Sequence, residues 1–335
     1  MKLLIGCILT SLGSFIFGMG LGKVMISIRA NINMYINERR LIMKLLNFKQ
    51  NNQVKIGVQT DHGILDLQLA GDQLDKKVPT SMEELIQMND LSLISEIVNE
   101  TLQNTKDSTF LSEDEITFAP IVTNPEKILC VGLNYLDHVE ESGDEEVPDE
   151  PVIFSKFNNA LAAHNESIPV PTTGKQFDYE AEMVVVIGKE AKDVSKEEAL
   201  DYIFGYSIGN DLSVRDLQFK SGRQWLLGKT PDKFAPIGPY LVTADSIDSS
   251  HLDISMKRNG KTVQSSNTKH MIFDCATIIS YLSKHMTLKP GDIIFTGTPE
   301  GVIFGLPEDE RDWLESGDQL EVTIESLGTL KNTLV

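Results

Sequence analysis

The chain has 335 residues, 41% hydrophobic and 24% charged, which is enough apolar material for one large core or two unequal ones and too little bias for bulk disorder. A formal net charge of -19 sets a field that repels phosphate backbones, so nucleic acid is excluded as the expected partner. Cys7, Cys130 and Cys275 are too few and too scattered for a disulfide framework or a zinc knuckle, and a reducing compartment fits them.

Residues 3–21 form an almost unbroken apolar run without a charge, of the length that spans a bilayer as a helix. Lys23, Arg29, Arg39 and Arg40 follow it, and the positive-inside bias would keep this flank, and the body behind it, in the cytoplasm. No A-x-A site follows Gly18, Gly20 and Gly22, which argues against a cleaved secretory signal. Residues 1–42 are expected to be either an anchor on the cytoplasmic face of the membrane or a leader upstream of a start at Met43.

From residue 43 the runs LLNFK, VKIGVQT and ILDLQL, broken by polar and glycine-containing turns, predict three short strands. Apolar residues at helical spacing predict helices over 81–88 and 91–102, with Thr80 or Ser81 as cap and Glu83 and Glu84 in the first turn. Residues 43–115 thus read as a small αβ N-terminal domain without a cluster of catalytic residue types. Residues 116–335 read as mainly β with α+β elements, because short β-branched runs such as KILCVGL, EMVVVIG and DIIFTG recur between turns. Two helices are predicted there, over 196–203 behind a Ser195 cap and over 274–284.

In FDYEAEMVVVIG, Glu180 and Glu182 stand two apart in a predicted strand and project from one face. Two adjacent carboxylates leading into an apolar run repel one another unless a cation lies between them. Asp211, at the end of GYSIGND, supplies a third carboxylate and would complete an oxygen site for magnesium, manganese or calcium. Two solvated acids on an exposed face satisfy the same spacing.

From about residue 125 onward the chain resembles the fumarylacetoacetate hydrolase family. The resemblance rests on ILCVGLNYLDHVEE, PVIFSKF, FDYEAEMVVVIGK, GYSIGNDLSVRDLQ, GKTPDKFAPIGP, QSSNTKHMIF and LKPGDIIFTGTPEGV, which occur in order over some two hundred residues. It implies a rolled, mixed β-sheet catalytic domain, a small-molecule 2-oxo acid substrate and a homodimer. It also implies a divalent ion, Mg2+ or Mn2+, on Glu180, Glu182 and Asp211.

His138 and Glu141 lie three apart, so one helical turn puts them on one face, and the resemblance makes them a water-activating pair. Glu140, one residue from Glu141, is rotated from it by about 100° and faces solvent. Asp137, near which larger relatives carry a fourth ligand, is left out of the metal set. The acidic stretch EESGDEEVPDEP suits a lid. Arg215, Gln218 and Lys229 offer a fork, an amide and a point charge to a dianionic acid, with Arg215 alternatively bridged to Asp216 or Asp232. The Thr298 hydroxyl and backbone N–H groups of GTPEGV are expected to hold the substrate carboxylate. Phe157 after Lys156, where the family often has a stiff residue, is expected to alter the pocket.

The resulting expectation is divalent-metal-dependent C–C bond cleavage of a 2-oxo or 1,3-dicarbonyl acid, by acylpyruvate hydrolysis or oxaloacetate decarboxylation. His138 and Glu141 act as base, with Lys229. Isomerase or tautomerase chemistry at the same site is the alternative, and a non-catalytic membrane-tethered interaction protein is the competing class.

Overall fold

The structure is a computed structural model that describes residues 42–51, 53–104, 110–143, 146–220 and 224–335. The apolar run at 3–21 lies outside these residues; among the described ones no helix is long and apolar enough to cross a membrane. Cys130 and Cys275 are buried free thiols.

The chain opens with β1 (Lys44–Gln50), β2 (Gln53–Thr60) and β3 (Gly63–Asp66). The run ILDLQL does not remain a strand as expected. Asp66 accepts the Leu69 N–H at 3.1 Å and caps the helix Leu67–Gln73, whose Leu67 and Ala70 are buried. An apolar run this short satisfies either period, and the cap decides it. Helices Met82–Met88, capped by Ser81, and Ser92–Asn104 follow as the spacing predicts.

After β4 (Phe110–Leu111) and β5 (Thr117–Ala119) come β6 (Ile128–Gly132), the helix Leu136–Glu141, β7 (Val152–Lys156), β8 (Leu161–Ala162), β9 (Ser167–Ile168) and β10 (Phe177–Asp178). Then follow β11 (Ala181–Ile187), β12 (Ile203–Asn210), β13 (Ser213–Val214), β14 (Ala235–Thr243), β15 (Asp253–Arg258) and β16 (Lys261–Asn267). β17 (Ile293–Phe295), β18 (Gln319–Ile324) and β19 (Gly328–Leu334) complete the strands. The helix Cys275–His285 forms where predicted, with Asp274 accepting the Thr277 N–H at 2.8 Å. The helix expected over 196–203 is only a 3₁₀ turn, Ala199–Tyr202. The β-branched and aromatic run from Ile203 is drawn into β12, and the remaining residues are too few to propagate a helix.

The architecture is mainly β with mixed pairing. A twelve-stranded sheet runs β4-β3-β2-β1-β14-β12-β11-β17-β6-β7, with β5 on β1 and β8 on β14. A five-stranded sheet runs β16-β15-β18-β19-β9. Most pairs are antiparallel, whereas β17–β6, β14–β8 and β19–β9 are parallel. Residue 115 ends the 3₁₀ turn Glu113–Glu115 ahead of β5, and β1 hydrogen-bonds directly to β14.

β11 lies at the centre and is buried along its whole length. Met183, Val185 and Ile187 face a core shared with Ile254, Met256, Val322 and Leu330 of the smaller sheet. Val184 and Val186 face a second core with Leu85, Ile97 and Val98 of the N-terminal helices. A strand covered on both faces reads as a continuous apolar run, which is why MVVVI shows no alternation.

Candidate active site

The acids are placed by strand register. In the antiparallel pair β11–β12, Ala181 stands opposite Asn210 and Glu182 opposite Gly209. One residue beyond, Asp211 donates its N–H to the Glu180 carbonyl at 2.9 Å, while Glu180 donates its N–H to Asn210 Oδ1 at 3.0 Å. Carboxylate oxygens of Glu180, Glu182 and Asp211 therefore lie within 4.8 Å of one another, and all three residues are buried. The structure brings this predicted trio together.

Side-chain cations surround the trio as well. Lys229 Nζ reaches Glu180 Oε2 at 2.7 Å and Asp211 Oδ2 at 3.0 Å. Lys156 Nζ reaches Asp211 Oδ1 at 2.6 Å. Arg215 pairs with neither Asp216 nor Asp232: its Nη2 meets Glu180 Oε1 at 2.7 Å and its Nε meets Asp178 Oδ2 at 2.8 Å. Its Nη1 donates to Gln218 Oε1 at 3.0 Å, so the two predicted substrate residues hold each other.

The acid left over is Glu182. Its side chain accepts the Gly297 N–H at 2.7 Å, and among the described residues no side-chain cation pairs with it. Burial, with the charges of Asp211 and Glu180 added, pushes the Glu182 carboxyl well above its ordinary range. Burial acts on Glu180 in the same direction, but Lys229 and Arg215 overcome it and hold that carboxyl down at about 2. Burial raises Asp211 despite Lys156 and Lys229. It also works against the Lys229 charge, which Asp211 and Glu180 restore and push above the usual lysine value. Three buried hard-oxygen donors, one without a counter-cation, fit a small divalent ion such as Mg2+ or Mn2+.

His138 and Glu141 meet on one face of the helix Leu136–Glu141, with Nδ1 2.7 Å from Glu141 Oε1. Glu141 Oε2 in turn accepts the Gly301 N–H at 2.8 Å. His138 is 7% exposed and lines a cavity of 320 Å³ together with Glu180, Glu182, Arg215, Gln218, Lys229 and Thr298. With Nδ1 engaged, Nε2 is the nitrogen left for the cavity. Asp211 does not line it. Asp137 and Glu140 are exposed and lie outside it, as does the half-exposed Phe157. Phe154, Phe219, Trp225 and Phe304 give the cavity an aromatic wall. The acidic lid stretch falls partly outside the described residues, at 144–145.

The loop after β17 is used differently from the expectation. The N–H groups of Gly297 and Gly301 are taken by Glu182 and Glu141, and the Thr298 hydroxyl accepts from Gln264 Nε2 at 2.9 Å. Gly297 has φ +97, and a Cβ there would stand 2.7 Å from Asn134 Cβ, so only glycine brings its N–H to Glu182.

Two participants escaped the sequence reading. Lys156 was only part of a motif, and Asp178 was unremarked. Yet Asp178 accepts from Arg215 Nε and from the N–H groups of Ile303 and Phe304, at 2.9 and 3.0 Å. The position of Lys156 at the end of the apolar run of β7 is the signal that could have found it, since a buried charge needs a partner; Asp178, after the single apolar Phe177, carries no such signal.

Residues 127–335 match the family described as fumarylacetoacetate (FAA) hydrolase C-terminal. The chain is 42% identical over 306 residues to a fumarylacetoacetate hydrolase domain-containing protein 2 homolog of Dictyostelium discoideum, covering 88% of this chain and 97% of that one. It is 39% identical over 303 residues to a mitochondrial oxaloacetate tautomerase of Xenopus laevis, covering 88% and 91%. Among solved structures it is similar to a fumarylacetoacetate hydrolase of Exiguobacterium antarcticum, with TM-score 0.73, 33% identity and coverage of 87% and 99%. It also resembles a 2-hydroxyhepta-2,4-diene-1,7-dioate isomerase of Mycobacterium marinum, with TM-score 0.66, 30% identity and coverage of 88% and 98%. The acids that register assembles on β11 and β12 thus sit in a chain that belongs to the fumarylacetoacetate hydrolase family of enzymes.

Proposed function

We propose that the site catalyses metal-dependent keto–enol tautomerisation of a small 2-oxo dicarboxylic acid, with oxaloacetate as the leading substrate. One observation carries this reading: His138, held by Glu141 at 2.7 Å, lines one cavity with the buried acids Glu180 and Glu182. The relatives named oxaloacetate tautomerase support the same choice. Glu180, Glu182 and Asp211 would hold the divalent ion, which supplies Lewis-acid polarisation of the 2-oxo group when bound.

His138 Nε2 takes a proton from C3 of the keto acid. The C–H electron pair becomes the C2=C3 bond, and the carbonyl π pair moves onto the C2 oxygen. Glu141 orients the imidazole and stabilises the imidazolium that forms, and the proton returns to that oxygen. Lys229 places a positive charge where negative charge develops, Gln218 and Arg215 orient the carboxylates, and the Thr298 hydroxyl, which accepts from Gln264, keeps its own hydrogen to donate to one of them.

C–C cleavage, which the sequence features favour, stands as the second reading. A cavity of 320 Å³ lies in the range that houses ligands longer than a four-carbon acid, and an attacking water activated by His138 would convert the same enolate chemistry into acylpyruvate hydrolysis. No observation favours the non-catalytic interaction protein. The family's homodimer belongs to this proposal and is tested by light scattering. The word mitochondrial in the relatives' names competes with a cytoplasmic location, and imaging of the tagged full chain decides between them.

The test follows the enol absorbance of oxaloacetate with Mg2+, Mn2+ or chelator, beside acetylpyruvate cleavage and carbon dioxide release. Interconversion accelerated by the metal and abolished by chelator is expected. Metal-dependent cleavage without tautomerisation would replace the first reading with the second. No turnover of any of these acids would overturn both.

A further inference from the structure

Lys156 is a fully buried ammonium at the end of β7, with no side-chain exposure. It does not line the cavity. Its Nζ nevertheless touches Asp211 Oδ1 at 2.6 Å, the Leu212 carbonyl at 2.9 Å, the Phe234 carbonyl at 2.7 Å and the Lys229 carbonyl. An ammonium has three N–H donors, which the three carbonyls take, and the Asp211 Oδ1 contact is an ion pair; every partner lies in a segment that carries site chemistry or adjoins it. Leu212 follows Asp211 in the chain, the Lys229 carbonyl belongs to the residue whose ammonium meets Glu180 and Asp211, and Phe234 leads into β14.

The two oxygens of Asp211 are thereby given different surroundings. Oδ1 is turned to Lys156, and Oδ2 to Lys229, which lines the cavity. We propose that Lys156 is a positioning residue: it pins Asp211 Oδ1, so that Asp211 offers a divalent ion Oδ2 alone, and it fixes the backbone of Lys229 relative to that oxygen. This inference rests on the metal-centred reading above. It differs from ordinary core packing because a buried, wholly engaged ammonium orients one particular ligand oxygen, as outer-shell partners of metal sites do.

The test titrates Mn2+ into the full chain by calorimetry and electron paramagnetic resonance, comparing wild type with Lys156→Gln and Lys156→Met. Gln retains two donors for the carbonyls and removes the charge from Asp211. Folding is checked by circular dichroism. A folded Lys156→Gln whose Mn2+ affinity falls about 10- to 100-fold, with kcat falling at saturating Mn2+ and KM nearly unchanged, is the expected result. Wild-type Mn2+ affinity in either folded variant would overturn the assignment of Lys156 and leave the metal-centred reading intact. Absence of Mn2+ uptake by the wild type would overturn both. Should neither variant fold, the crystal structure of the Mn2+-loaded wild type decides. Asp211 ligating through Oδ2, with Oδ1 kept on Lys156, supports the proposal, and a bidentate Asp211 detached from Lys156 refutes it.

Discussion

At the scale of single residues, Glu182 separates stability from metal binding. Its carboxyl sits above the ordinary range because burial and two neighbouring carboxylates oppose its charge. In the metal-free protein, a folded pKa above the unfolded value of 4.5 means stability that is complete below that value. It is lost as pH rises through the folded value. Glu182→Gln removes this titration and keeps the shape. The metal-free variant should therefore melt at or above the wild-type temperature at neutral pH, with no activity and no response to Mn2+. The wild type should gain about 2.7 kcal/mol at a free Mn2+ concentration one hundred times Kd. Near-normal turnover in the variant would remove Glu182 from the site. Glu180 and Glu182 were readable in the sequence because their relation is local, two residues along a strand. Lys156 and Asp178 were not, because Lys156 meets Asp211 and Asp178 meets Arg215 only through strand pairing and chain reversal over dozens of residues.

At the scale of elements, the helix Leu136–Glu141 is held to the loop after β17 by a single carboxylate that serves two partners. Glu141 touches His138 through one oxygen and the Gly301 N–H through the other. Gly305 leaves the room for it: a Cβ there would lie 2.5 Å from Glu141 Oε2. Gly305→Ala should push that flexible carboxylate off His138 while leaving the cores untouched. The expected outcome is a loss in kcat of about tenfold or more, with a change in global stability of less than about 1 kcal/mol. Unchanged kcat with unchanged pH dependence would show that Glu141 does not act through this contact. The short helix itself was legible, since His138 and Glu141 needed only one turn to meet. Two other assignments failed for a shared reason. ILDLQL and the stretch after Ser195 are brief segments whose period is ambiguous, and an Asp66 cap in one case and the pull of β12 in the other settled them.

At the scale of the whole molecule, His164 links the two sheets. Its Nδ1 accepts the Lys331 N–H of β19 at 3.1 Å, and its ring meets Phe118 of β5 edge-on at 4.8 Å. Burial lowers its pKa from 6.5 to about 4. The unfolded chain therefore binds the extra proton first, and stability falls as pH drops from about 6.5 toward 4. The loss is on the order of 2 kcal/mol once solvent screening is allowed for. His164→Asn, which keeps an acceptor but cannot titrate, should flatten that part of the stability–pH curve. Parallel curves for the two proteins would refute the assignment. The mainly β class was legible from the density of short strands. The joining of β1 to β14 was not, because pairing between strands almost two hundred residues apart leaves no local trace.

That pairing has a consequence for any chain that loses its first strand. β14 is hydrogen-bonded to β1 on one side and to β12, the strand leading into Asp211, on the other. A cut or an internal start beyond Gln50 would bare a ladder of amide and carbonyl groups one strand away from the ligand-bearing strand. Such an edge recruits strands from other molecules. A product shortened in this way should accumulate as insoluble assemblies rather than survive as a slower catalyst.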